Sequence, residues 1–435
     1  MSSRTSPCPP KLRRSEGGFT LIELLVVIAI IAILSVVVAL TLNPAEMLRR
    51  SRDANRLSDM TTISTAISHF QTDQGIISGS GSLGTSNTVY VSLPDPMATT
   101  SAGSNCSSLG LLTLPTGYGY HCAGPNYYRK TDGTGWIPIN FSSITTGSPL
   151  GTLPTDPVNA SSSRLYYTYT TNGTLFEATA PMESQNYGLG GANDQITNDG
   201  GTLASVYEKG SKLGLEPLDY GDASLVGNWT FAEGTGTVAY DYSGMNATGS
   251  WMGTPTGTNG FYSPGKIGPW AGTFDGGSTY VNLNASQSLG KSAVTVCAWI
   301  DSQVLTTGAS IFNWRTTSNN SGLTLEGYGS SGTSLAWYIN NGSWLMQSTN
   351  GWATSTWQFV SATYDGSYLH TYRNGIEIGI PVAVTGNIVQ PVSPNTFIGR
   401  NVGGPIYFPG LIDDVRIYNR ALSAAQIAAM YSGGK

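Results

Sequence analysis

Side-chain catalysis needs titratable groups brought together, and this chain offers few. Its three histidines, His69, His121 and His370, are scattered through 435 residues. Glycoside hydrolysis needs two carboxylates about 5–10 Å apart. Glu326, Glu377, Asp301 and Asp365 stand isolated, and Asp413-Asp414 would point to opposite faces of any strand. No HExxH, P-loop or Ser–His–Asp signature occurs. The side chains therefore argue against an enzyme. Among the cysteines, Cys8 lies in the tail, Cys297 in an apolar run, and Cys106 and Cys122 together in a loop-rich stretch. Cys106 and Cys122 are the expected disulfide, worth about 3 kcal/mol in the chain-entropy model. Free thiols are the alternative. A metal site with His121 would have three ligands and lacks a CxxC knuckle. Aromatic rings on a sheet surface can stack sugars. Trp344 and Trp352, near the turns at Gly342 and Gly351, are the candidates for such a platform, whereas Trp229, Trp299 and Trp357 read as core.

The elements that must hold these groups follow from composition and pattern. Charged residues make up 11% of the chain, against about 25% in an average soluble domain. With 55 Gly and 22 Pro, this indicates short strands and many turns, as in extracellular β structure. A net charge of −5 gives no footprint for nucleic acid. One further titratable group stands out by its surroundings. Glu23 interrupts the apolar run Phe19–Leu42, which as a helix would cover about 36 Å against a bilayer core of about 30 Å. The run is too long for a secretory h-region and reads as a retained membrane helix. A carboxylate there is costly unless it is paired or lies near the headgroups.

The string G-F-T-L-I-E, after a leader with Arg4, Lys11, Arg13 and Arg14, resembles the type III signal of type IV pilins and pseudopilins. The resemblance implies cleavage between Gly18 and Phe19 by a prepilin peptidase and N-methylation of Phe19. It also implies that Glu23 pairs with the α-amino group of a neighbouring subunit during assembly, and that everything after the leader lies outside. Asn43-Pro44 should kink the helix, which continues through 43–75 with Leu48, Leu57, Met60, Ile63, Ile67 and Phe70 at three- and four-residue spacing. Gly75 is its expected stop. Residues 76–183 read as a small pseudopilin-like head. Asn172-Gly173 marks a hairpin there, and Asp156 and Asn159 are calcium candidates by similarity to some pseudopilin loops. Residues 184–221, glycine-rich and without a period, read as a linker.

From 222 to 435 the chain holds nine of its ten tryptophans and a succession of short strands. AVTVCAWI is apolar on both faces, and Asp365-Gly366 and Asn374-Gly375 mark tight hairpins. SLVGNWTFAEGTG, FDGGSTYVNL, WQFVSATYDGSYLHTYRNGIEIG and GLIDDVRIYNRALSAAQIAAMY, in that order, look like a concanavalin A-like or laminin-G-like jelly roll. Ser423 and Gln426 make a capping box for its last helix. The resemblance implies two packed antiparallel sheets and glycan or protein binding. It also implies calcium in some members, for which Asp241, Ser243, Asn246 and Asp413 offer hard oxygen ligands. Asx turns are the equal alternative for these residues. Relatives that hydrolyse glucans carry E-x-D-x-E, which is absent here.

The expected fold class is α+β multidomain: a leader over 1–18, a membrane-spanning assembly helix over 19–42 and its continuation over 43–75. A small α+β pilin-like head follows over 76–183, then the 184–221 connection and an all-β jelly-roll sandwich over 222–435. The expected function is a minor pilin or pseudopilin-like subunit that is membrane-anchored before assembly. It would display a binding domain for a glycan or protein at the cell surface or on a filament. A pseudopilin of a secretion or DNA-uptake machine that binds cargo, and a membrane-tethered glycan-processing enzyme, are the rivals.

Overall fold

A computed structural model describes residues 20–75, 83–283, 289–302, 306–316, 321–329, 334–350, 352–392 and 394–434, with backbone alone at 36–42. Gly18 and Phe19 lie outside the described residues. The chain forms two compact units, Met1–Arg49 and Arg50–Lys435.

In the first unit, helix α1 (Leu21–Leu42) opens on a capping box. The Thr20 hydroxyl accepts from the Glu23 amide, and the Glu23 carboxylate accepts from the Thr20 amide at 2.9 Å. Asn43 then adopts a left-handed conformation (φ 39°) and Pro44 starts helix α2 (Pro44–Gln74). The expected kink is thus a break: Asn tolerates positive φ, and Pro at the first helical position lacks only an N–H that would be unpaired anyway. Among the described residues no helix is long and apolar enough to cross a membrane. The membrane reading of 19–42 also rests on Phe19 and on the side chains of 36–42, which are not described.

In the second unit, Met60, Ile63, Ile67 and Phe70 of α2 are buried on one face, as their spacing requires, against the core around Trp136 and Tyr169. Gly75 follows with φ 66°, the conformation that suits a helix stop. The head sheet comprises β1 (Thr88–Val91), β2 (Gly119–Cys122), β3 (Thr168–Thr171), β4 (Phe176–Pro181) and β5 (Val206–Gly210), in the order β2-β1-β3-β4-β5. Only the β1–β2 pair is parallel. Asn172-Gly173 turns β3 into β4, with the Asn172 Oδ1 accepting from the Thr174 and Leu175 amides. The 184–221 stretch, which has no sequence period, supplies β5 as the fifth strand of this sheet.

The sandwich begins with β6 (Leu225–Trp229), β7 (Val238–Ala239), β8 (Gly249–Met252), β9 (Tyr262–Pro264), β10 (Trp270–Asp275) and β11 (Tyr280–Leu283). Next come β12 (Val294–Ser302), β13 (Ser310–Arg315), β14 (Gly322–Tyr328), β15 (Ser334–Asn340) and β16 (Trp344–Asn350). It closes with β17 (Gln358–Tyr364), β18 (Tyr368–Arg373), β19 (Ile376–Glu377), β20 (Val382–Ala383), β21 (Asn395–Ile398), β22 (Pro409–Tyr418) and helix α3 (Ala424–Gly433). One sheet runs β19-β18-β17-β12-β22-β10-β9, with β20 also paired to β18 and β6 also paired to β22, and the other runs β16-β15-β14-β13-β21-β11-β8-β7. Every pairing in both is antiparallel.

The main core lies between the sheets, with Val294, Val296, Ala298 and Ile300 of β12 turned into it. The alternate β12 residues Cys297 and Trp299 belong to a second cluster with Leu189 and with Ile427 and Met430 of α3. Strand β12 is therefore apolar on both faces because α3 and the 184–221 segment cover the outside of its sheet. Ser423 caps α3 through the expected box with Gln426. Polar side chains instead decorate the outside of the eight-stranded sheet.

Candidate functional site

Alternation along β13–β16 sends Trp314, Leu323, Leu325, Leu335, Trp337 and Ile339 into the core. Their neighbours face the other way. Register places Asn313 opposite Thr324, Thr324 opposite Tyr338, and Tyr338 opposite Met346, one row across four strands. One step along, Arg315 is opposite Gly322, and Asn340 is opposite Trp344. Because Gly322 has no side chain, the Arg315 side chain can lie across β14. Its guanidinium sits 4.3 Å from the centre of the Trp344 ring.

Three rings run side by side over this face. Trp344 meets Tyr338 edge-on at 6.5 Å, and Tyr338 meets Tyr328 edge-on at 6.2 Å. Beside them lie buried polar groups. The Glu326 Oε2 is 2.7 Å from the Asn401 amide nitrogen, 3.1 Å from the Ser310 hydroxyl and 3.2 Å from the Thr324 hydroxyl. Burial raises the Glu326 carboxyl above its ordinary value, partly offset by these bonds and by the charge of Arg315. The Asn313 amide donates to Thr324 at 3.2 Å, yet its Oδ1 is buried without a hydrogen-bond partner, and so is the Arg315 Nε. Half-exposed rings next to these buried groups form a surface that can take an amphipathic ligand: rings for its apolar side, the tyrosine hydroxyls and the Arg315 guanidinium for its hydroxyls.

Of the expected platform residues, Trp344 lies on this face. Trp352 does not: it packs against the main core, 6.3 Å from Phe408. Trp357 and Trp299 instead line a groove of about 420 Å³ with Lys266 and Tyr431, at the end of α3.

The calcium candidates are engaged locally. Asp241 accepts from the amides of Asn228, Ser243 and Ala247 at 2.9–3.0 Å, which anchors the YDYSGMN turn, and Asn246 takes a left-handed conformation (φ 60°). Asp413 accepts from the Lys266 and Ile267 amides, both at 2.8 Å. The Asx-turn alternative thus accounts for Asp241 and Ser243. Asp156 accepts from Arg56, at 2.6 and 3.0 Å, and Asn159 bonds Ser92. Among the described residues no group of three or more His, Cys, Asp or Glu side chains is placed to hold a metal ion. Cys106 and Cys122 form the disulfide, so neither is a metal ligand with His121. Cys297 is a buried free thiol beside Ser361.

Sequence reasoning passed over Arg315, Asn313 and Tyr338, and set Glu326 aside as isolated. The available signal was the strict alternation in GLTLEGY and SLAWYIN, which puts Thr324, Glu326, Tyr328 and Tyr338 on one side.

Comparison with known proteins places both ends of the chain. It carries a domain of the concanavalin A-like lectin/glucanases superfamily, matched over residues 275–428. It also carries the prokaryotic N-terminal methylation motif, matched over residues 13–39, which implies prepilin-type processing and a pilin-like, membrane-anchored, extracytoplasmic protein. No curated protein matches the chain. Among solved structures, domain 4 of AbnA, an extracellular arabinanase from Geobacillus stearothermophilus in complex with arabinotriose, is 22% identical. That alignment covers 47% of this chain and 97% of that one, with a TM-score of 0.40. The binding domain of Paraclostridial Mosquitocidal Protein 1 is 17% identical over 48% of this chain and 52% of that one, TM-score 0.38. A botulinum neurotoxin type C structure, whose cell entry is described as dependent on two ganglioside molecules, is 17% identical over 48% and 50%, TM-score 0.35.

Proposed function

We propose that this protein is a minor pilin or pseudopilin-like subunit that displays a non-catalytic, glycan-binding sandwich outside the cytoplasmic membrane. Its leader is cut between Gly18 and Phe19, Phe19 is N-methylated, and residues 19–42 form the membrane and assembly helix. Glu23 pairs with the α-amino group of a neighbouring subunit. In the isolated chain its carboxylate is turned back on Thr20, so assembly exchanges a bond within the helix for one between subunits. The methylation motif supports this half of the reading.

The observation that carries the binding half is the run of rings Trp344, Tyr338 and Tyr328 beside Glu326 and Asn313. Binding is favoured over hydrolysis because the contacts to Glu326 come from hydroxyls and an amide, which hold a carboxylate in place without making it half of a catalytic pair. A glycan array with the full chain in detergent micelles tests the reading. Binding that falls at least tenfold in Trp344→Ala and Tyr338→Ala supports it. Undiminished binding in both variants, or release of reducing sugar from a bound polysaccharide, would count against it. Mass spectrometry of the mature N-terminus tests the other half, and any first residue but Phe19 would overturn that assignment.

A further inference from the structure

The same face contains a cation without a counter-ion. Arg315 is 8% exposed, yet it forms no ion pair among the described residues, and its Nε has no hydrogen-bond partner. Every other deeply buried arginine in the second unit is neutralised at close range: Arg56 by Asp53, Asp156 and Glu183, and Arg416 by Asp414 and Asp219. Glu326 is near enough to attract Arg315, but its Oε2 is held by Ser310, Thr324 and Asn401. Desolvation outweighs that attraction, and the guanidinium is held below its ordinary value. Trp344 covers one flat side of the guanidinium. Its Nε is enclosed, so what a ligand can reach is the pair of terminal nitrogens, a fork that suits a carboxylate or sulfate.

We infer, building on the glycan reading above, that the ligand of this face is an anionic sugar whose carboxylate or sulfate group binds Arg315 while its ring packs against the exposed parts of Trp344 and Tyr338. A neutral sugar would leave the buried charge uncompensated. An anionic one would complete the pairing seen at Arg56 and Arg416.

The test uses the full chain in detergent micelles, titrated with a galacturonate hexasaccharide, a sulfated galactose hexasaccharide and a neutral galactose hexasaccharide. At least one anionic ligand should bind tenfold or more tighter than the neutral one, with affinity falling as salt rises. Arg315→Gln should weaken the anionic ligand roughly ten- to a hundredfold and erase its advantage over the neutral one, and Arg315→Lys should restore part of the loss. The carboxylated and sulfated arms show which anion fits. Equal binding of neutral and anionic ligands, unaffected by Arg315→Gln, would overturn the inference and leave the glycan reading standing. Folded protein that binds none of the three would overturn both. Should Arg315→Gln fail to fold, Glu326→Gln decides the matter. Removing the neighbouring negative charge should tighten anionic binding relative to neutral binding, and no change in that ratio would overturn the inference.

Discussion

The Arg416 guanidinium on β22, the last strand of the sandwich, lies 3.5 Å from the Asp219 carboxylate, with both side chains almost wholly buried. Arg416 also donates to Asp414 at 2.9 Å and to the Thr202 carbonyl at 3.0 Å. A β-bulge makes this possible. Trp299 pairs with Asp413 but Cys297 pairs with Arg416, so β22 holds one extra residue, and Asp414 takes φ 49°. Breaking a buried pair leaves an uncompensated charge, which costs about 3–5 kcal/mol. Arg416→Ala in the full chain should lower stability by that amount in denaturant melts. A fragment starting at 222 should also melt below one starting at 50, because it loses Asp219 and Thr202. Equal melting of the two fragments would show that the seam contributes nothing.

Arg56 organises the other joint, between α2 and the head. It donates to Asp156, Asp53 and Glu183 at 2.6–3.0 Å, and Asp53 in turn accepts from the Glu183 and Ser184 amides. Arg56→Met should cost about 3–5 kcal/mol near neutral pH, because three carboxylates lose their shared cation. The loss should shrink at acid pH, where Glu183 protonates: despite burial, its bonds to Arg52 and Arg56 hold it below its ordinary value. A loss that is the same at both pH values would contradict an electrostatic origin.

The head should become less stable as pH rises. Burial pushes Glu177 to about 7 and Glu216 to about 8, from an ordinary 4.5. Glu177 stays raised despite a side-chain hydrogen bond with Glu208 and despite accepting from the Leu215 and Glu216 amides. With folded values above unfolded ones, both groups favour the folded state most below about pH 4.5. Their contribution is lost progressively up to about pH 8. Denaturant midpoints should therefore fall between pH 5.5 and pH 9, and Glu216→Gln should flatten the slope. An unchanged slope in that variant would remove Glu216 from the account.

Reduction of Cys106–Cys122 should lower stability by about 3 kcal/mol, the loop-closure value for a separation of 16 residues. Both cysteines sit in the cluster with Val89, Val91 and Tyr220, so the loss should be read at the head sheet. Hydrogen exchange with and without reductant measures it. Faster exchange confined to the sandwich would be the wrong result.

The legible features were those fixed by neighbours in sequence. Asn172-Gly173 announces its hairpin, Gly75 its helix stop, Ser423 its cap, and the apolar alternates of AVTVCAWI their burial on both sides. Trp344 was found because a turn precedes it. The illegible features depend on register and distant pairing. Nothing local to Arg315 says that Gly322 will stand opposite it, or that β16 will place Trp344 beneath its guanidinium. Residues 184–221 look like a connection because β5 is short and because Asp219 finds its partner, Arg416, only at the far end of the chain. Asn43 was legible as a disturbance, but whether it bends or breaks the helix turns on its own φ.

The crossing from head to sandwich is clamped as well as short. Arg420 holds Asp222 at 2.7 Å and Ser224 at 2.8 Å, and Arg164 of the head donates to the Asp222 carbonyl at 3.2 Å. The sandwich is therefore mounted on the head like a fixed bracket, without a swivelling tether. On the proposed reading, a ligand held at the ring-lined face would pull on the head directly, with no slack chain between them to lengthen first.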